Sequence, residues 1–246
     1  MKTTMTFLFA LISLVSSAEI KRSSQAASSI GKNTFVEKIN AHSYIQNGLI
    51  AQWDGIENVE YGHKNDAKIW KDLIGDNDLT CGYSFDENSL VCTGYNSAYK
   101  ANPTISQSDI MHIEICLNYP SPLVSYMVAN FGGNYRILAY AILGRGGISL
   151  SQNEIGYGTW PIGKHTFSFS YSNNSSLSLF IDGLIREHST GIDGWNNIRS
   201  FRIGSVRGNN YKGFIGNFYC IRLYSRVLTE EEINHNYSID KIRFRL

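Results

Sequence analysis

Strict alternation of apolar and polar residues is the clearest pattern in this chain. In the segment 112–118, Ile113, Ile115 and Leu117 fall on one face and polar residues fall on the other. The segment 166–171 alternates in the same way. A period of two is typical of a strand that is buried on one side only. The pattern therefore predicts half-buried strands at both places.

Shorter apolar segments predict more strands around these two. They cover residues 49–53, 123–129, 136–143, 176–181, 184–188, 199–204 and 213–224. Asp182-Gly183 separates two of them and is a strong hairpin signal. In the last segment we expect Tyr219, Ile221 and Leu223 to share one face. Many short strands without intervening helices indicate a β-sandwich or barrel and exclude βαβ architectures.

One helix is predicted, directly after the last strand. Thr229 is a favourable N-cap, and Glu232 three residues later completes a capping box. Leu228 and Ile233 are placed to form the matching hydrophobic staple. The acidic residues of the first turn are explained by the helix dipole. We therefore expect one short C-terminal helix and assign no catalytic role to these acids.

The N-terminus resembles an export signal. Lys2 precedes an apolar run over 5–15, and small residues follow at 16–18. The run is shorter than the roughly 20 residues that span a bilayer, so we expect cleavage near Ala18 and no membrane-spanning segment afterwards. The expected organisation is a signal peptide at 1–18, a Ser-rich linker or N-terminal arm at 19–47, and one domain at 48–246. Such a protein would be secreted, periplasmic or on the cell surface.

Charge narrows the possible partners. The chain has 22 basic and 21 acidic residues, and removal of Lys2 with the signal leaves them equal. Nucleic-acid binding depends on an excess of Lys and Arg, so nucleic acid is disfavoured as a partner.

Export would permit disulfides. The candidates are Cys81, Cys92, Cys116 and Cys220. Four cysteines allow three pairings, and four free thiols are the alternative. Cys81 and Cys92 flank a turn-like stretch and could close a hairpin. Cys116 and Cys220 fall on the less apolar faces of their predicted strands.

Several segments together resemble the concanavalin A-like lectin/glucanase superfamily, in its laminin G-like form. They are residues 47–55, 70–75, 165–169, 179–183 and 221–233, the last being the most specific. The resemblance implies an all-β jelly-roll sandwich of two curved antiparallel sheets. It also implies that ligands bind on the concave face or in loops at one edge, and that Trp53 and Trp70 belong to the core.

The sequence does not favour catalysis. The glucanase branch of the superfamily carries a Glu-x-Asp-x-Glu pattern on one strand, because retaining hydrolysis needs two nearby carboxylates. This chain lacks that pattern, and Glu114 is the single acid on its strand. A Gly-x-Ser-x-Gly nucleophile motif is also absent. We therefore predict a domain that is not an enzyme, with glycoside hydrolysis as the disfavoured alternative.

Aromatic and amide residues in predicted loops favour glycan binding. Aromatic rings pack on the apolar face of a sugar, and amides bind its hydroxyls. The candidates are Tyr157, Trp160, Trp195, Asn196, Asn209 and Tyr211. Trp160 and Trp195 could instead be buried at the ends of the hydrophobic core. The second hypothesis is a structural or adhesive module that binds a cell-surface protein.

Calcium is the one cofactor that we consider, because many laminin G-like domains bind it. Asp54 and Asp76, with their neighbours Asp72 and Asp78, form a cluster in the sequence. Carboxylate oxygens suit a hard cation. Aspartate is also common in turns, so the cluster alone is not diagnostic.

Overall fold

The structure is a computed structural model that describes most of the chain after residue 38. It describes residues 39–60, 62–94, 98–101, 103–105, 110–120, 126–130, 136–140, 145–150, 153–159, 161–172, 176–190, 200–204 and 212–246. The predicted signal peptide and residues 19–38 of the predicted arm lie outside these ranges. None of the described helices is long and apolar enough to cross a membrane.

Strands dominate the described part of the chain. They are β1 (Leu49–Asp54), β2 (Ile69–Trp70), β3 (Leu79–Cys81), β4 (Ser84–Phe85), β5 (Leu90–Thr93), β6 (Ala98–Ala101), β7 (His112–Tyr119), β8 (Tyr126–Asn130), β9 (Arg136–Tyr140), β10 (Arg145–Leu150), β11 (Asn153–Thr159), β12 (Gly163–Ser172), β13 (Ser176–Ile181), β14 (Leu184–Thr190), β15 (Ser200–Ile203), β16 (Lys212–Gly213) and β17 (Ile215–Tyr224). A 3-10 turn at Ala41–Ser43 precedes them, and the helix α1 (Glu230–Phe244) follows.

The strands form two sheets. Sheet 1 has the order β14-β13-β12-β7-β17-β5-β4, and β1 also pairs with β17. Sheet 2 has the order β11-β10-β9-β8-β15-β6-β3-β2, with the short β16 parallel to β8. All other pairs are antiparallel. The predicted fold class, an all-β sandwich with one C-terminal helix, is confirmed.

The main core lies between the two sheets. Ile113, Ile115 and Leu117 are buried in it, as their alternation predicts. Trp53 and Trp70 are fully buried in the same core. The Trp53 ring stacks on Phe201 of sheet 2 with centroids 5.1 Å apart, so this contact joins the two layers.

A β-bulge in β17 changes one predicted face. The register shifts between Phe218 and Cys220. Phe218 therefore joins the main core with Ile221, whereas Tyr219 packs in a separate cluster with Cys116 and Phe244. The prediction that Tyr219 shares a face with Ile221 and Leu223 is wrong, because the extra residue of a bulge interrupts the period of two.

One other local prediction is corrected. The stretch containing Tyr157 is predicted to be a loop, but it lies in β11, which pairs with β10. The strands β2–β6 are short, and their apolar runs were too brief to predict them.

Helix α1 begins as the sequence predicts. The Thr229 side chain accepts from the Glu232 amide at 3.2 Å, and the Glu232 carboxylate accepts from the Thr229 amide at 2.9 Å. Leu228 and Ile233 are buried in one cluster, which confirms the hydrophobic staple. Lys241 and Arg243 lie in the last turn, where the dipole favours cations.

Helix α1 covers the outer face of sheet 1, the face away from the main core. Residues 40–46 also pack there. Tyr44 is 2% exposed, and the Ile45 amide donates to Asn236 of α1 at 2.9 Å. Residues 39–47, which we assigned to the arm, therefore contact the domain directly.

Candidate functional site

The predicted glycan-binding residues lie almost entirely outside the described ranges. Trp160, Trp195, Asn196, Asn209 and Tyr211 are all outside them. Tyr157 lies in β11, the edge strand of sheet 2. The glycan site therefore stays a prediction, with its one described member on a sheet edge.

Asp54, a predicted calcium ligand, is buried and already bonded. One carboxylate oxygen accepts from the amides of Ile56 and Glu57 at 2.9 and 3.1 Å. The other is 2.8 Å from Nη2 of Arg243. Burial raises the pKa of Asp54, although the Arg243 charge opposes that rise. These contacts make Asp54 the cap of a tight turn.

Among the other aspartates of the cluster, Asp72 has a similar structural role. The Asp72 carboxylate accepts from the amides of Gln52, Ile74 and Asn77. Asp76 is exposed, and its carbonyl accepts from Lys100 Nζ at 3.0 Å. Neither Asp54 nor Asp76 belongs to a group of three or more potential metal-ligating side chains among the described residues. Calcium binding stays a prediction.

One group of potential ligands does occur in the described part of the chain. It comprises Cys116, Cys220 and Asp240, whose ligand atoms lie within 4.8 Å of one another. Arg222 already occupies this place, with Nη1 2.8 Å from Asp240 and 3.0 Å from the Cys220 sulfur. Burial raises the pKa of both thiols. A fixed guanidinium charge and neutral thiols disfavour a metal ion at this group.

All four cysteines are buried free thiols in this structure. Cys81 lies in β3 of sheet 2 and Cys92 in β5 of sheet 1, so the two do not close a hairpin. Cys116 and Cys220 are direct partners in the register of β7 and β17.

The strongest electrostatic feature is a buried charge network of Glu114, Arg222 and Asp240. Arg222 Nε lies 2.7 Å from Glu114 Oε2, and its two terminal nitrogens each lie 2.8 Å from an Asp240 oxygen. All three side chains are fully buried. The network joins the middle of sheet 1 to α1.

Neutral side chains complete the network. The Tyr44 hydroxyl donates to Asp240 Oδ1 at 2.8 Å, and its ring lies 4.0 Å from the Arg222 guanidinium carbon. Thr166 donates to the other Asp240 oxygen at 2.8 Å. Asn236 donates to Glu114 Oε2 at 2.8 Å. Buried charges are stable in proteins when they are paired and hydrogen-bonded in this way.

Opposing effects set the charge states of the network. Burial alone would raise the pKa of Glu114, but Arg222 and His112 outweigh it and lower that pKa to about 2. Burial would lower the pKa of Arg222, but Asp240 and other neighbours hold it well above its ordinary value. Glu114 and Arg222 are thus both charged at neutral pH. Since α1 covers it, its contacts fix the helix on the sheet and do not meet a ligand.

No local pattern in the sequence predicts this network. The sequence does show polar residues at every second position of two strands, β7 and β17. Only the register, which pairs Arg222 with Glu114, shows that these positions meet.

A contact between His165 and Asp182 lies nearer the surface. His165 Nδ1 is 2.6 Å from Asp182 Oδ2, and both side chains are about one-fifth exposed, at 22% and 23%. The hydrogen bond to Asp182 raises the pKa of His165. Asp182 Oδ1 also accepts from the Thr166 amide at 3.0 Å. Asp182 therefore ties the β13–β14 turn to β12.

An apolar cleft opens near the junction of the two sheets. Its volume is about 220 Å³, counted with the space open to solvent. It is lined by Trp53, Asn77, Pro103, Ile105, Ile110, Phe201 and Leu223. The cleft is smaller than ordinary ligand pockets of roughly 300–1,000 Å³, and apolar walls do not match the hydroxyls of a sugar.

Comparison with known proteins gives similarity of fold and no family. No family model matches the chain, and no curated protein matches it. Among solved structures, a mutant of Trypanosoma rangeli sialidase displaying trans-sialidase activity aligns with 13% identity and a TM-score of 0.62. The alignment covers 80% of this chain and 33% of the sialidase. T. rangeli sialidase in complex with sialic acid gives 14% identity, a TM-score of 0.60, and 79% and 33% coverage.

A smaller protein matches over nearly its whole length. Domain 4 of AbnA, a GH43 extracellular arabinanase from Geobacillus stearothermophilus, was solved in complex with arabinotriose. It aligns with 16% identity and a TM-score of 0.54, covering 77% of this chain and 98% of that domain. This chain spans only about a third of the sialidases that it matches. The similar structures bear out a β-sandwich of jelly-roll-like form.

These similarities overturn the prediction that the chain is not an enzyme. Sialidases are enzymes, and their structures are similar to this one at 13–15% identity. At that level the likeness shows the fold alone and assigns no catalytic residue to this chain. Catalysis is therefore not excluded by the missing Glu-x-Asp-x-Glu pattern.

Proposed function

We propose that this chain is an exported carbohydrate-recognition domain that binds oligosaccharides at the cell surface or outside the cell. One observation carries the proposal. The arabinanase domain that was solved with arabinotriose is matched over 98% of its length. The likeness in fold to a domain that was solved with an oligosaccharide supports the proposal.

The proposed binding residues have suitable chemistry. Trp160, Trp195, Tyr157 and Tyr211 supply aromatic faces for sugar rings, and Asn196 and Asn209 supply amides for hydroxyls. The near-equal numbers of basic and acidic residues also suit a neutral ligand. Membership of the concanavalin A-like superfamily, in its laminin G-like form, is part of the same proposal.

A glycan array probed with the purified chain tests this function. The array should include arabino-oligosaccharides and sialylated glycans, and each should be probed with Ca²⁺ and with a chelator. We expect saturable binding to a small set of related glycans. Released sugar should be measured in the same samples, so that hydrolysis of a bound glycan is detected. A correctly folded chain that binds no glycan would contradict the proposal.

The chelator arm tests calcium separately. Binding that disappears with the chelator and returns with Ca²⁺ would assign the ion a role in the site. Binding that is unchanged would remove calcium from the proposal and leave glycan recognition intact.

A further inference from the structure

Three buried polar atoms on the outer face of sheet 1 have no hydrogen-bond partner of ordinary length among the described residues. They are His112 Nε2, Glu114 Oε1 and Ser168 Oγ. Buried polar groups in folded proteins nearly always have partners, and each one without a partner is costly. Three such atoms in one place therefore require a common explanation.

Strand pairing places the three atoms side by side. His112 and Glu114 are two residues apart on β7, so their side chains share the outer face of sheet 1. His112 Nε2 is 3.5 Å from Glu114 Oε1. Ser168 of β12 is the direct register partner of Glu114. The three side chains are thus neighbours on the outer face of sheet 1, at one point between β7 and β12.

The rest of each charged or aromatic group is held in place. Glu114 Oε2 accepts from Arg222 Nε at 2.7 Å and from Asn236 Nδ2 at 2.8 Å. His112 Nδ1 lies 2.7 Å from Ser170 Oγ. Rotation of either side chain would break these bonds. The unpartnered atoms of His112 and Glu114 therefore cannot turn towards other groups at low cost.

We propose that this point binds a single water molecule that bridges His112, Glu114 and Ser168. Glu114 Oε1 is an acceptor, His112 Nε2 is a donor when Nδ1 accepts the Ser170 hydroxyl, and the Ser168 hydroxyl can act either way. The ligand must therefore both donate and accept. Buried waters typically make about three such bonds to otherwise unsatisfied groups.

Other small ligands fit these groups less well. The Glu114 carboxylate repels an anion. The Arg222 guanidinium, bonded to the same carboxylate, repels a cation, and an imidazole N–H offers a cation no lone pair. All three side chains are buried, which suits a small neutral ligand. Water satisfies every atom and connects β12 to the buried charge network.

A crystal structure of the chain at high resolution tests the proposal. We expect an electron-density peak at about 2.6–3.2 Å from each of the three atoms, the range of ordinary hydrogen bonds. Two results would overturn it. One is a direct bond between His112 Nε2 and Glu114 Oε1 without a peak. The other is a Ser168 hydroxyl that donates to a main-chain carbonyl in its place.

Solution NMR provides a measurement that does not depend on crystals. In uniformly ¹⁵N-labelled chain, the His112 ring proton should show a cross-peak to a long-lived water. His188, which is exposed and bonds Ser178 at 2.9 Å, is the internal control and should show only fast exchange. Equal behaviour of the two histidines would contradict a bound water.

Discussion

Arg222 and Asp240 form a two-point ion pair in which both terminal guanidinium nitrogens lie 2.8 Å from a carboxylate oxygen. Neither side chain is exposed. Arg222 belongs to the central strand β17 and Asp240 to the middle of α1. This pair therefore holds the only long helix of the described residues against the sheet.

Removal of Asp240 should destabilise the protein strongly. In Asp240→Ala, the buried Arg222 keeps its bond to Glu114 but loses both bonds to Asp240. The hydroxyls of Tyr44 and Thr166 also lose their acceptor. We expect the free energy of unfolding to fall by about 3–5 kcal/mol, as for other broken buried pairs. Urea unfolding followed by fluorescence measures this change.

An exposed ion pair gives the matched control. Lys64 and Asp66 are 3.6 Å apart with side chains 63% and 78% exposed. Asp66→Ala should leave the unfolding midpoint unchanged, because solvent screens such pairs. Equal effects of the two substitutions would show that the buried network does not hold α1.

The ionisation of Glu114 should make stability depend on acid pH. Its pKa in the folded chain is lowered to about 2. The stabilisation is therefore fully present above the ordinary pKa of a glutamate, near 4.3, and is lost as the pH falls towards about 2. The difference in unfolding free energy between wild type and Glu114→Gln should shrink over this range. A difference that stays constant with pH would contradict the lowered pKa.

Local patterns predicted much of the architecture. The alternation around Ile113 and Ile115, the Asp182-Gly183 hairpin and the Thr229 capping box each act within a few residues, so the sequence alone was sufficient. Tyr219 was assigned to the wrong face because a bulge depends on pairing with the neighbouring strand.

The buried charge network could not be predicted for a similar reason. Glu114 and Arg222 are 108 residues apart in the chain, and nothing local pairs them. The predicted calcium ligand Asp54 illustrates the opposite error. An aspartate near other aspartates indicated a cation site, whereas its oxygens bind neighbouring amides and Arg243.

The cap of α1 can be tested by one pair of substitutions. Thr229→Ala removes the side-chain acceptor of the Glu232 amide, and we expect a loss of about 1 kcal/mol in unfolding free energy. Thr229→Ser keeps the hydroxyl and should retain most of the stability. Thermal unfolding by circular dichroism measures both. A serine variant as unstable as the alanine variant would show that the threonine acts through its methyl group.

Gly183 should not tolerate a side chain. Its φ of +77° lies in the left-handed region, and a Cβ at this position would collide with Asn234 of α1. Gly183→Ala should lose about 1–2 kcal/mol from backbone strain, together with a smaller steric cost because the exposed Asn234 side chain must move aside. Asn234→Ala in the same chain should recover the steric part only, as a double-mutant cycle would measure. Full recovery, or none, would contradict this division.

Oligosaccharide binding through Trp160 and Trp195 is the central proposal, and calorimetric titration tests it most directly. The glycan that binds most tightly on the array should be titrated into wild type, Trp160→Ala and Trp195→Ala. Asp66→Ala, which changes an exposed side chain, is the control. We predict saturable binding to wild type and to the control. In one or both tryptophan variants the fold should be retained, and the affinity should be at least tenfold weaker, which is roughly 1.4 kcal/mol. Unchanged affinity in both tryptophan variants, or no binding by wild type, would contradict the account.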